Sequence, residues 1–264
     1  MRMCQSTYYY KALKKEDNSL QIVDKIEKII EELPQSGYRP VTTILKKEMT
    51  INHKRTLRIM RENNLICVKK RKFISKTTES KHKFKKYPNL AKDFVPTDIN
   101  QLIVGDVTAF DQNGKNLYLA SLLDVCNRKT IGSAVSDKNN TELVLAALED
   151  AVMVRGNLEN CIHHTDSDVR YCSDEYISRL EKYKMKISMC VGNVYENAYA
   201  ESFNSTIKKQ EINISEYTSK EDAALSIFEF IRKYNTIRPH SALGGLTPSE
   251  KELVLLSQKK SKKA

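Results

Sequence analysis

A chain of 264 residues with 40% hydrophobic content is long enough to bury a core without covalent staples. Its six cysteines are scattered, with no Cys-x-x-Cys pair, which argues against a zinc ribbon and a secreted disulfide framework. No apolar run reaches membrane-spanning length, and the first ten residues lack the apolar stretch of a signal peptide, so a cytoplasmic, membrane-free chain is expected. The net charge of +11 is unevenly placed: residues 1–95 hold 23 Lys and Arg against 10 Asp and Glu, and the remainder holds 21 against 23. A basic front on a near-neutral body suits a polyanionic partner, most often nucleic acid. A solvated basic surface accounts for the net charge equally well.

Leu20, Ile22, Val23, Ile26, Ile29 and Ile30 have helical spacing, which predicts a helix over 20–32 that ends at Leu33-Pro34 and Ser36-Gly37. A second helix is predicted over 41–48 with Ile44 and Leu45 inward. A third, over 53–62, is capped by Asn52, packs Leu57, Ile59 and Met60, and turns Lys54, Arg55, Arg58 and Arg61 outward. Three short helices with a basic last one fit a helix-turn-helix-like DNA-binding domain over 20–68. A small helical bundle with a charged face has the same pattern. Residues 1–19 form a lead-in. Residues 69–98 form a basic linker that opens with Lys69, Lys70, Arg71 and Lys72 and is suited to tracking phosphates.

A globular unit is predicted over 99–250. Strands are expected at 102–107, 117–125 and 130–136, with a turn signal at Asn113-Gly114. A helix over 141–155 ends at Gly156. A strand at 161–165, a helix from Ser173 to about Tyr183 and a strand at 185–189 follow. Gly192-Asn193 then turns into a helix that carries Glu201 to about Gln210, and a last helix spans 220–234. This order specifies an α/β unit: a mixed five-stranded sheet with helices on both faces, its first and fourth strands adjacent. Residues 251–264 read as a basic tail, disordered over 259–263.

Adjacent first and fourth strands make Asp106 and Asp166 neighbours, with the Glu201 helix crossing above them. Three convergent carboxylates repel unless a divalent cation neutralises them. Two such cations can clamp the attacking and leaving oxygens of a phosphodiester displacement. By spacing alone, surface or capping roles fit the same residues. Asp124 suits a turn cap or an auxiliary site carboxylate. Lys208, seven residues after Glu201, shares its helical face and suits a phosphate or open solvent. Arg238 and His240 suit a site role or a brace for the C-terminal helix. His163, His164 and the other histidines make no zinc pattern.

The words around the carboxylates are more specific. Asn100-x-x-Ile103-x-x-Asp106-Val107-Thr108 resembles Asn-x-x-Trp-x-x-Asp-Ile-Thr. His164-Thr165-Asp166-x-Asp168-x-Arg170-Tyr171 resembles His-Ser-Asp-x-Gly-x-Gln-Tyr. Glu196-Asn197-Ala198-x-x-Glu201-Ser202-Phe203, followed by Ile207-Lys208, resembles Asp-Asn-Ala-x-x-Glu-Ser-Phe with Leu-Lys. Tyr234-Asn235-x-x-Arg238-Pro239-His240 with Leu243-Gly244 and Thr247-Pro248 matches the closing block. In this order they resemble the transposases of the bacterial insertion sequence three family. Ser36-Gly37-Tyr38-Arg39 and Asn52-x-Lys54-Arg55-x-x-Arg58-x-Met60 are similar to that family's inner helix-turn-helix segment.

The resemblance implies a ribonuclease-H-like fold with a retroviral-integrase-like core, and a catalytic, metal-binding triad of Asp106, Asp166 and Glu201. It implies Mg²⁺, or Mn²⁺, cleavage at the element's ends and transfer of the 3′-hydroxyl to target DNA. DNA contacts are expected from Lys54, Arg55, Arg58, Lys69, Lys70, Arg71, Lys72 and Lys208. Also implied are an oligomer on double-stranded DNA, fusion to an upstream-frame product ahead of residues 1–10, and a nucleoid-associated, cytoplasmic location. The departures are Ile103 for Trp, Asp168 for Gly, Arg170 for Gln, Glu196 for Asp, and an interval between Asp166 and Glu201 one residue shorter than usual. Asp168 and Arg170 leave room for the alternative, a catalytically impaired or domesticated copy that only binds DNA.

Overall fold

Three amphipathic segments build the front end of the chain, whose computed structural model describes residues 18–67, 83–190 and 197–263. Helix α1 (Ser19–Glu32) turns Ile22 and Ile26 inward. Helix α2 (Tyr38–Leu45) starts earlier than its apolar spacing suggests, because Pro40 is tolerated in a first turn, where its missing N–H needs no partner. Its inward residues are Val41, Thr42 and Leu45; Ile44 is only half-buried. Helix α3 (His53–Glu62) is capped by the Asn52 side chain, which accepts from the Lys54 N–H at 2.9 Å. Ile22, Ile26, Val41, Leu45, Ile51, Ile59 and Met60 form one small core among the three. The lead-in over 1–17, the linker part over 68–82 with Lys69, Lys70, Arg71 and Lys72, and the predicted turn at Gly192 and Asn193 lie outside the described residues.

The described part of the linker runs beside the sheet. Leu90 N–H donates to Ser188 Oγ at 2.8 Å, and the Asn89 side chain accepts from the N–H groups of Ala91 and Lys92.

The sheet has the order β3-β2-β1-β4-β5. Strands β1 (Leu102–Gln112), β2 (Lys115–Asp124) and β3 (Thr130–Ser136) form the antiparallel meander. Strands β4 (Ile162–Asp166) and β5 (Lys186–Cys190) join it in parallel, β4 against β1. β1 is longer than its apolar run, because its second half continues to pair with β2 out to the Asn113-Gly114 turn. Side chains alternate across the strands, so each face has its own core. Helices α4 (Thr141–Arg155) and α5 (Asp174–Lys182) cover Ile103, Val107, Ala120, Leu122 and Ile131. Ile103, where a tryptophan was expected, is fully buried there. Helices α6 (Ala198–Ile207) and α7 (Lys220–Thr236) cover Leu102, Val104, Phe110, Leu119 and Leu123. At Gly132 a β-carbon would sit 2.2 Å from the Ala147 carbonyl oxygen, so only glycine lets α4 lie this close to β3.

Residues 251–263 correct an expectation. They belong to helix α8 (Pro248–Lys263), so 259–263, expected to be disordered, are helical. Long-range ion pairs hold it: Glu252 accepts from Arg155 and, at 2.7 Å, from Lys129, and Lys259 reaches Asp98 at 2.5 Å. The helical front end docks on the same side of the body. Gln210 Nε2 donates to Ser36 Oγ at 3.0 Å, and Lys47–Glu250 and Lys233–Glu32 pair nearby. Among the described residues no helix is long and apolar enough to cross a membrane.

Candidate active site

The parallel register aligns Val104 with His164, so Asp106 and Asp166 lie two residues beyond it on adjacent strands. Both are on the face covered by α6, the face that also carries Leu102, Val104 and Ile162. Asp106 is half-buried. Its Oδ1 accepts from the Val107 N–H at 2.8 Å, and its Oδ2 accepts from Asn204 Nδ2 at 2.8 Å. Burial first, and then the charge of Asp166, push its carboxyl up to about 7. Two carboxylates here are therefore unstable as a doubly ionised pair without a cation.

Glu201 stands on the first turn of α6 and is exposed. Asn197, just before the helix, donates to the Gly105 carbonyl at 3.1 Å, and Asn204 donates to Asp106. Positions 197, 201 and 204 share one helical face, so Glu201 projects between two anchors that bracket Asp106. Lys208, a further turn along, is half-buried. Burial lowers its pKa and the Asp106 charge opposes that shift, which identifies it as a cation beside the carboxylates. After Ile207 the helix widens into a π-turn (Lys208–Ile212), which turns Gln210, Glu211 and Ile212 into the core. Among the described residues no group of three His, Cys, Asp or Glu is already gathered to hold a metal ion. Asp106 and Asp166 are brought together; Glu201 stays exposed on the helix, on the side that Asn204 turns to Asp106.

The loop after Asp166 resolves its two unusual residues. Asp168 and Arg170 are both buried, and they pair with each other: Arg170 Nε donates to Asp168 Oδ1 at 2.5 Å, and the Arg170 backbone N–H donates to the same oxygen at 3.0 Å. Arg170 also donates to Asn139 Oδ1. Beneath them Tyr171 and Tyr176 stack edge to face at 5.4 Å, and the Tyr171 hydroxyl lies under Gly105.

The other candidates have separate duties. Asp124, fully buried on the opposite face, accepts from the Asn100 and Cys126 N–H groups and pairs with Arg155 at 3.2 Å. It is a brace for the start of β1. His163 faces α5, with Tyr176 Oη 2.8 Å from its Nε2; burial drives its pKa down to about 3. His164 Nδ1 lies 2.9 Å from Ser188 Oγ. Lys54 and Arg58 are exposed on α3 and Arg55 is half-buried there. Sequence reasoning missed Asn204 as the residue that orients Asp106. Its position three residues after Glu201 was the available signal.

Two integrase core domain models match residues 96–192 and 184–248, and an HTH-like domain model matches residues 16–73. The chain is 32% identical to the putative transposase InsK for insertion sequence element IS150 of Escherichia coli, over 93% of this chain and 88% of that one. It is 32% identical to the insertion element IS600 31 kDa protein of Shigella sonnei, over 89% and 88%. Among solved structures, the HTLV-2 integrase catalytic core domain in complex with magnesium aligns with 59% of this chain and 98% of that one, at 17% identity and a TM-score of 0.49.

Proposed function

The chain belongs to the insertion sequence three family of transposases with an integrase core, and we propose that it cuts the element's ends and joins their 3′-hydroxyls to target DNA through Asp106, Asp166 and Glu201. The observation that carries this is the juxtaposition of Asp106 and Asp166, under a helix anchored on both sides of Glu201. The donor set fits a hard divalent cation, Mg²⁺ or Mn²⁺: it offers carboxylate oxygens only, and Asp106 is held up near 7 until positive charge arrives. When bound, such ions supply Lewis acidity toward the phosphoryl oxygen and acidify the attacking water or hydroxyl.

The chain's own residues then have distinct tasks. Asn204 fixes the rotation of Asp106. The Asp168–Arg170 pair stiffens the loop behind Asp166, and the Arg170 charge offsets Asp168 beside the carboxylates. This supports catalytic competence over a copy that only binds DNA. Lys208 offsets phosphate charge next to Asp106. In the first step a water oxygen bonds to phosphorus and gives up its proton, and the 3′-oxygen leaves and takes up a proton from solvent to become a hydroxyl. In the second, that 3′-hydroxyl attacks a target phosphodiester and loses its proton; one P–O bond forms and one breaks, so no outside energy source is needed. Lys54, Arg55 and Arg58 on α3, with Lys69, Lys70, Arg71 and Lys72 of the linker, hold the duplex by its phosphates. Joining two ends calls for at least two copies.

The test is a divalent-dependent strand-transfer assay on the element's terminal repeats. The unaltered chain transfers strands, and Glu201→Gln binds DNA equally well but transfers none. Tight binding by the unaltered chain with no cleavage in Mg²⁺ or Mn²⁺ would sink the proposal in favour of a DNA-binding copy.

A further inference from the structure

On the flank of α6 away from the carboxylates lies a cleft of about 550 Å³, between that helix, α2 and the segment after α7. Along α6, the face of Asn197, Glu201, Asn204 and Lys208 meets Asp106, and Ala200, Phe203 and Ile207 meet the core. Tyr199, Ser202 and Thr206 form a third face, and that face lines the cleft. Three arginines from distant parts of the sequence close around it: Arg39 from α2, Arg128 from the β2–β3 turn and Arg238 from the segment after α7.

The charge balance of the cleft is unusual. No Asp or Glu lines it. Of the six arginines in the described part of the body, Arg155, Arg170, Arg179 and Arg232 each pair with a carboxylate; Arg128 and Arg238 do not, and both lie here. Arg128 is held instead over the Tyr199 ring, 3.9 Å from its centroid, and Arg238 lies 5.6 Å from the Tyr234 centroid. Aromatic faces orient a guanidinium without neutralising it. Arg238 is further fixed by Gln210 Oε1 at 3.0 Å and by His240, 3.3 Å from its Nη1. Burial, reinforced by the charges of Arg238 and Arg128, lowers the His240 pKa to about 3, so the field inside the cleft is positive and the imidazole is neutral. Preoriented guanidiniums, hydroxyls and an absence of carboxylates make an anion site suited to phosphate.

We propose that this cleft is a second DNA-backbone subsite, in which Arg39 and Arg128 bind a phosphodiester of the strand that crosses α6 to reach the carboxylates. The proposal rests on the transposase function above and adds a contact that spans the helical front end and the body. One helix diameter, about 10–12 Å, separates the two flanks. At about 3.4 Å per base pair, the bound phosphate falls roughly three nucleotides from the scissile one. Engaging Arg39 and Arg128 together adds a DNA-dependent contact to those that already dock the front end on the body.

The experiment measures binding of the full chain to double-stranded oligonucleotides of two unrelated sequences across a salt series, for the unaltered chain, Arg39→Ala, Arg128→Ala and Arg128→Lys. Each alanine variant is expected to weaken binding equally on both sequences and to reduce the slope of log affinity against log salt by about 0.9, one phosphate contact. Arg128→Lys keeps the slope, because it keeps the charge. Thermal unfolding of each variant separates lost contact from lost fold, and Arg39 is exposed, so its removal leaves the core intact. If the unaltered chain binds while both alanine variants keep its affinity and slope, the cleft is not a phosphate site, and the active-site assignment stands. If the unaltered chain binds neither duplex, the transposase function and the cleft fall together.

Discussion

Removal of Asp168 tests the loop behind Asp166. In Asp168→Ala, Arg170 keeps Asn139 but loses the carboxylate that accepts from both its side chain and its backbone N–H. Asp168 is 1% exposed and the Arg170 side chain 5%. Breaking a pair this deep removes the acceptor that both Arg170 donors share, a loss with a ceiling of about 3–5 kcal/mol. The bond to Asn139 and the charge of Asp166 remain and favour the lower end, about 3 kcal/mol. For a chain of this size that is a fall in Tm on the order of 6–12 °C. Replacing both partners, Asp168→Gly with Arg170→Gln, removes the two charges together and is expected to be within about 1 kcal/mol of the unaltered chain. The assay is a double-mutant cycle by urea or thermal unfolding, run beside strand transfer. Two additive single effects, or a double variant as unstable as Asp168→Ala, would refute the idea that the two residues compensate each other.

Two further outcomes follow from the carboxylate pair. The folded-state pKa of Asp106 lies above its ordinary 3.8, so the native state binds the extra proton. Without divalent ions, the stability this carboxyl contributes is therefore full below about pH 4 and is lost as pH rises toward about 7, by an amount on the order of 2–4 kcal/mol. Asp106→Asn removes that slope, and Mg²⁺ restores stability above pH 7; a metal-free stability curve that stays flat from pH 4 to 7 would contradict the close pairing with Asp166. Asn204→Ala deletes the hydrogen bond to Asp106 Oδ2, an interaction with a charged group of about 1.5–3 kcal/mol. It is expected to slow strand transfer roughly 10- to 100-fold with DNA affinity unchanged, and Asn204→Asp, which adds a charge, does not rescue it.

The parts that were legible in the sequence rest on local periodicity and chain topology. The apolar run at 102–107 and the crossover through α4 predicted that β1 and β4 would be neighbours, and this places Asp106 beside Asp166. The i, i+7 spacing put Lys208 on the face of Glu201. The parts that were not legible depend on partners far away in the chain. Helix α8 has a lysine-rich end with weak apolar periodicity, and what holds it in place is Glu252 against Arg155 and Lys129, and Lys259 against Asp98. Asp124 could be read as a cap or a ligand until the pleat placed it on the face opposite Asp106, against Arg155. Val41 and Leu45, four residues apart on one side of α2, face the small core, and Ile44 does not.

Arg128 illustrates the same limit at the level of function. In the sequence it is one basic residue in a turn, among 44 lysines and arginines. Its meaning comes from Tyr199, which holds the guanidinium on one flank of α6 while Asn204, five residues on, holds Asp106 from another. A strand bound on one flank is therefore positioned relative to the other by a single rigid helix. Any displacement of α6 would shift the phosphate contact and the third carboxylate together. Such coupling explains why α6 is tied down by Asn197 and Asn204 on one side and packed through Ala200, Phe203 and Ile207 on another, before any DNA arrives.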